Sequence, residues 1–126
     1  MKMTTKEEFI KALKNRTKKL AVDVILYCDT LKKCKASDVV TYQIVKSSSS
    51  TGANYRAACR ARSKAEFFSK ICIVVEESDE TEYWLEIIHD AELTTEKEEL
   101  KRLLKEANEI TKIMTKAKNS TYNNGK

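Results

Sequence analysis

The sequence predicts an all-α fold, an antiparallel up-down bundle of four helices, and three of its features carry that expectation. It holds no proline and only two glycines, Gly52 and Gly125, so little in it can break a helix or build tight strand turns. Apolar residues make up 41% and charged residues 34%, a balance that suits long amphipathic helices. Helix-start signals recur at roughly even spacing, each followed by apolar residues at helical period. A chain of 126 residues is long enough to form one domain around its own core, without metal or disulfide.

The first helix is expected over about residues 6–34. Thr5 and Glu8 form a capping box, in which hydroxyl and carboxylate each satisfy an orphan backbone N–H. Phe9, Leu13, Leu20, Val24, Tyr27 and Leu31 then step by three, four or seven and make a core stripe. The second helix, about 37–61, opens on Ser37 with the Asp38 carboxylate near the positive end of the helix dipole. Its middle, Ser47 to Thr51 followed by Gly52-Ala53, has poor helix propensity. It reads either as a continuous helix, kinked near Gly52, or as a loop. If helical, Ser50, Ala53, Ala57 and Ala61 share a face that lets another helix come unusually close. A phosphate cradle is a weak reading of the serines, because no Gly-Lys-Ser/Thr follows them.

The third helix, about 63–90, starts on a second box, Ser63 with Glu66, and carries Phe67, Ile71, Val74, Leu85 and Ile88 inward. The fourth, about 95–118, starts on Thr95 with Glu98, and its stripe is Leu93, Leu100, Leu103, Ala107, Ile110, Met114 and Ala117. Short links near 35, 62 and 92 make consecutive helices antiparallel. The bundle thus spans 1–118, and residues 119–126 (NSTYNNGK) read as a flexible polar tail.

Several function classes find no support. Cys28, Cys34, Cys59 and Cys72 contain no C-x-x-C, and the N-terminus lacks the apolar stretch of a signal peptide. A cytoplasmic chain with reduced, mostly buried thiols is expected. No apolar run approaches the ~20 residues of a membrane span. Glu86-Ile-Ile-His89 has the form of half a di-iron motif, but the second Glu-x-x-His is missing, because His89 is the sole histidine. Glu76, Glu77, Asp79, Glu80, Glu82 and Glu86 are instead expected to pair with Lys101, Arg102 and Lys105. The chain is therefore expected to hold no catalytic residue, metal or cofactor, and to have no membrane partner and no small-molecule substrate.

Two stretches carry a resemblance. SSSSTGANYRAACRARSKAEFFSKI (47–71) and DETEYWLEII (79–88) contain a Ser-x-Gly-Ala-Asn start, an Arg-Ala-Arg-Ser-Lys-Ala-Glu-Phe centre and a Glu-Tyr-Trp-Leu end. In these the chain resembles the 23S rRNA intervening-sequence family of four-helix-bundle proteins. That family is similar in turn to the accessory variability protein of diversity-generating retroelements, a basic homopentamer that works with a reverse transcriptase and RNA. The resemblance implies a pentameric barrel of bundles without known enzymatic activity. One departure is Ala57, where the family often has Glu, so any role of that carboxylate is absent here.

Charge supplies a functional signal of its own. Antiparallel threading gathers residues 1–20, 52–72 and 108–126 at one end, with 16 Lys/Arg against four Asp/Glu. The other end, 21–51 and 73–107, has eight against 15, so a net +12 faces a net −7. The basic end carries Lys11, Lys14, Arg16, Lys18 and Lys19, then Arg56, Arg60, Arg62 and Lys64, then Lys112, Lys116 and Lys118. Such a cluster is the footprint of a polyanion site, although subunit pairing (+ to −) or a merely solvated surface would look the same. Tyr55, beside Arg56, is the candidate for base stacking. Adjacent Tyr83 and Trp84 point about 100° apart, so one fills the bundle and the other reaches an interface, for which Trp84 is taken.

The expected function is a non-enzymatic homo-oligomer that binds nucleic-acid backbone or assists a nucleic-acid enzyme. Lys11, Lys14, Arg16, Lys18, Arg56, Arg60, Arg62, Lys64, Lys112 and Lys116 are its candidate phosphate contacts. Ser50, Ala53, Asn54, Ala57, Ala61 and Trp84 are its candidate subunit interface. The alternative is a protein-interaction adaptor whose oligomer presents the basic face to an acidic partner.

Overall fold

The computed structural model describes residues 5–124 and shows four helices and, among those residues, no strand. They are α1 (Lys6–Cys28), α2 (Lys35–Cys59), α3 (Lys64–Asp90) and α4 (Lys97–Asn124). Consecutive helices pack against each other and α4 returns to α1, with no diagonal contact, so the up-down threading holds. The seam between α1 and α4 is much the thinnest of the four.

The Thr5 capping box forms as expected, with the Glu8 N–H donating to the Thr5 hydroxyl at 3.1 Å. Ser63 likewise accepts from the Glu66 N–H at 3.1 Å. Other boundaries differ. α1 stops at Cys28 rather than near 34, where the Thr30 hydroxyl bonds the Tyr27 carbonyl at 2.7 Å and ends the ladder. α2 starts at Lys35, so Cys34 holds the cap position and Ser37 lies inside the first turn, its hydroxyl 3.4 Å from the Cys34 sulfur. The expected Thr95 box is replaced by Thr94, which accepts from the Glu96 N–H at 2.9 Å, and α4 begins at Lys97.

The far end of α4 is a larger correction. Residues 119–124 are helical rather than a loose tail, and Tyr122 sets its ring 5.8 Å from that of Phe68. A polar segment has little reason of its own to stay helical, and the aromatic contact supplies one. The rest of the expected tail, Gly125 and Lys126, lies outside the described residues.

α2 is continuous through its serines. Ser47, Ser48 and Thr51 are buried, and each hydroxyl bonds a carbonyl of the preceding turn. That local bond lets a polar side chain enter the core without an orphaned donor. The Thr81 hydroxyl from α3 also reaches the Ser47 hydroxyl at 2.9 Å. Gly52 faces α1 so closely that a Cβ there would lie 3.3 Å from the Thr17 hydroxyl and 3.4 Å from the Thr17 carbonyl carbon. The close-packed small-residue face inside the chain is therefore Ser48, Thr51 and Gly52. Ser50, Ala53, Ala57 and Ala61 are half-buried or exposed.

The two ends of the bundle are built differently. At one, Leu31 and Leu93 are buried and the Lys32 N–H donates to the Leu93 carbonyl at 2.8 Å, which ties the two loops together. Leu93 and Glu92 bond back to Ile88 and His89, a Schellman closure of α3 with Glu92 at φ 54°. At the other end Phe9, expected in the core, is 50% exposed. It lies on the inward stripe of α1, beside a hollow that it shares with Ile113, Met114 and Ala117 of α4.

Candidate functional site

The basic end is assembled from the start of α1, the turn between α2 and α3, and the end of α4. Side chains from all these places line common hollows: Lys6, Ala61 and Lys116 share one, and Arg62, Lys64 and Thr121 share another. The Ser63 cap fixes the turn, leaving Arg60, Arg62 and Lys64 on its outside, all exposed. Arg62 is 90% exposed and its one ion pair, with Glu66, is loose at 3.6 Å. Such a pair holds a guanidinium only weakly, so it stays accessible to another anion. Arg56 shares the outer face of α2 with Arg60, and Lys11, Lys18, Lys112 and Lys116 are exposed on α1 and α4.

Arg16 stands apart from this set. Its Nε donates to Glu106 at 2.7 Å and its Nη2 to Glu109 across the α1–α4 seam. Hydrogen bonds donated to Glu106, against the cost of burial, hold the guanidinium charged and raise its pKa further. Its donors serve the fold, and the polyanion candidates are the remaining nine. Lys19 is similarly occupied, 2.6 Å from Asp23.

Tyr55 does not offer a stacking face. It is buried at 5% exposure, and burial followed by the neighbouring Cys59 pushes its phenol well above the ordinary range. The reason is register: Tyr55 follows Thr51 by four residues, on the inward face of α2. The aromatic pair on α3 is also reassigned. Trp84 packs on the core and donates from Nε1 to Glu80 at 3.1 Å, whereas Tyr83 is the exposed ring, set edge-on against it. Of the other interface candidates, Ala53 is exposed, and Ser50, Asn54, Ala57 and Ala61 are half-buried.

At the acidic end the expected cross-helix pairing takes another form. Arg102 pairs with Glu99 on its own helix and with Asp23 on α1, and Glu82 accepts instead from Asn108 at 3.2 Å. His89 Nδ1 lies 2.9 Å from Asp90. Among the described residues no group of three or more His, Cys, Asp or Glu side chains is gathered as a metal site would need. The four cysteines are free and half-buried rather than fully buried. No helix among the described residues is long and apolar enough to cross a membrane.

Lys6 stands in the first turn of α1, within the basic stretch of the sequence, whereas Phe9 follows the apolar stripe of α1 and no residue pattern marks it as the member left half exposed.

Comparison with known proteins agrees with this architecture. A crystal structure of a protein of unknown function from the S23 ribosomal protein family of Bacteroides thetaiotaomicron VPI-5482 superposes with a TM-score of 0.76 at 32% identity. The match covers 84% of this chain and 97% of that one. No curated protein matches. A family model described as 23S rRNA-intervening sequence protein matches residues 11–116, which take in the whole of α2 and α3, most of α1 and α4, and both stretches quoted from the sequence. The chain therefore belongs to the 23S rRNA-intervening sequence protein family.

Proposed function

We propose that the chain is a non-catalytic, homo-oligomeric binding protein whose basic end takes the phosphate backbone of a nucleic acid. The observation that carries this reading is the polarity of charge along the bundle, whose two ends sum to +10 and −7 among the described residues. A helix of 25 residues such as α2 is roughly 38 Å long, several times the Debye length at physiological salt. The acidic end therefore does not cancel the field of the basic one. Arg60, Arg62 and Lys64 lie exposed on a capped turn, where they can approach phosphates with little rearrangement.

Assembly is the second part of the proposal. Val22, Ile25 and Leu26 on α1 and Val39 and Tyr42 on α2 are all exposed, more apolar surface than a lone small domain needs to show. Ala53, with half-buried Ser50 and Ala57 beside it, continues the outer side of α2 as a row of small residues. A pentamer, and work alongside a reverse transcriptase or similar enzyme, is the form suggested by the resemblance to the accessory variability protein. An adaptor that offers the basic end to an acidic protein is the rival.

Titration of labelled RNA and DNA into wild type and an Arg60/Arg62/Lys64 triple Glu variant tests the reading. Wild-type affinity should fall with salt at a log–log slope of about −0.7 to −0.9 per phosphate contacted, and the variant should bind far more weakly. Equal binding by both, or none by wild type at low salt, removes the nucleic-acid reading and leaves the adaptor. Light scattering after size exclusion tests assembly separately, and a monomer at micromolar concentration would refute it.

A further inference from the structure

At the basic end the thin α1–α4 seam opens into a cavity of about 790 Å³. Its walls are Phe9 and Leu13 of α1, Phe67 of α3, and Ile113 and Met114 of α4, over a floor that includes buried Tyr55. Among the described residues no carboxylate lines it. The charged residues at its edge are Lys6 and Lys116, both exposed and neither in an ion pair with a described residue. The contrast with the hollow at the other end is plain, since Glu86, Asp90 and Glu98 line that one among its lysines.

We propose that this cavity is a binding site for a free single-chain anionic amphiphile, an alkyl carboxylate of medium length. Its tail lies among Phe9, Leu13, Phe67 and Met114, and its carboxylate meets the ammonium groups of Lys6 and Lys116. The volume falls within the range typical of small-molecule sites, which are mainly apolar with a few polar groups that orient the ligand. A nucleic-acid backbone gains nothing from an apolar interior, so the site is distinct from the phosphate surface around it. A partner helix, about 10 Å across, needs a trough that runs on along the bundle. Here Leu13, Tyr55 and Met114, all buried, close the hollow on the inner side and make it a pit. The amphiphile is held unchanged, as a ligand and not as a substrate.

The test is calorimetric titration of the full chain with dodecanoate below its micelle concentration. One molecule per chain should bind, and decanoate should bind roughly fifteenfold more weakly, at about fourfold per methylene. Dodecyltrimethylammonium, with the same tail and the opposite charge, should bind at least about tenfold more weakly than dodecanoate, a difference that the Lys6→Gln/Lys116→Gln variant should erase. Both lysines are exposed, so this variant keeps the fold. Ala117→Trp places a ring in the cavity and should abolish binding while helicity by circular dichroism is unchanged. Absence of saturable binding, equal affinity for the cationic amphiphile in wild type, or full binding by folded Ala117→Trp would overturn the proposal. Retention of the chain on anionic phospholipid vesicles with no binding of monomeric dodecanoate would overturn it in favour of a membrane surface. Because the nucleic-acid titration uses the Arg60, Arg62 and Lys64 positions, the two readings can fail independently.

Discussion

Where residues 29–34 and 91–96 turn, Leu31 and Leu93 are 6% and 5% exposed and a backbone hydrogen bond joins the loops. At the opposite end, Phe9 stands on the same helix and stripe as buried Tyr27, yet it is half exposed beside a cavity. The supply of side-chain volume explains the difference. The first end sends large side chains inward from both loops. The second is lined in part by Ala58, Ala61 and Ala117, which cannot span the gap between α1 and α4. The seam between those helices is held further along by ion pairs, Arg16 to Glu106 and Glu109, and Arg102 to Asp23. Polar pairing tolerates a wider separation than apolar packing does. The same bundle thus offers one end fit for stability and one with surface to spare.

The largest expected effect sets the two ends against each other. Leu93→Ala should cost about 2–4 kcal/mol, the usual range for a buried leucine, whereas Phe9→Ala should cost less than about 1 kcal/mol. Urea melts of both variants measure this. Equal losses would mean that the basic end is as closed as the other, and the contrast would be lost.

Gly52→Val comes next, at about 1–3 kcal/mol, because branches beyond Cβ would meet the backbone of Thr17 as well as its hydroxyl. A variant as stable as wild type would show that α1 can move away from α2 as freely as it stands away from α4. Glu92→Gly acts in the opposite sense. Its left-handed backbone at the end of α3 is strained for any residue with a Cβ, so glycine should stabilise by about 1 kcal/mol. Thermal unfolding of the two proteins checks it, and a loss of stability would point to an unrecognised role for the carboxylate.

The smallest effect concerns pH. Burial raises the Asp23 pKa, but hydrogen bonds from Lys19 and Arg102 outweigh it and leave it lowered, and Arg102 lowers that of Glu99. A depressed carboxylate contributes stability that is fully present well above its unfolded pKa and is lost as pH falls through the folded one. From ordinary values of 3.8 and 4.5, that loss belongs below about pH 5. Arg102→Ala should therefore cost under about 1 kcal/mol at neutral pH, given its partial exposure, and flatten the acid limb of the stability profile. An unchanged acid limb would assign the α1–α4 seam to packing alone.

What could be read from the residues followed from local chemistry. The Thr5 box, the Ser63 cap and the apolar stripes need only neighbours within a turn or two, so helix number, type and order were legible. The charge polarity was legible too, because short links leave consecutive helices little choice but to run antiparallel. Thr95 and Ser37 show the limit of that reading. Both have the residue types of caps, but loop closure around Leu93 and the Cys34 cap shifted the starts of α4 and α2 by a few residues.

The sequence by itself thus determined the all-α class, the four-helix threading and the concentration of positive charge at one end, since each is set by residue type and spacing. Only the tertiary structure decided that Gly52 meets Thr17, that Arg16 is spent on Glu106 and Glu109, that Tyr55 turns inward, and that Tyr122 extends α4 against Phe68. It also decided that α1 and α4 part around Phe9. These outcomes depend on distances between segments far apart in the chain, and those distances are set by the fit of whole helices rather than by any local pattern of residues.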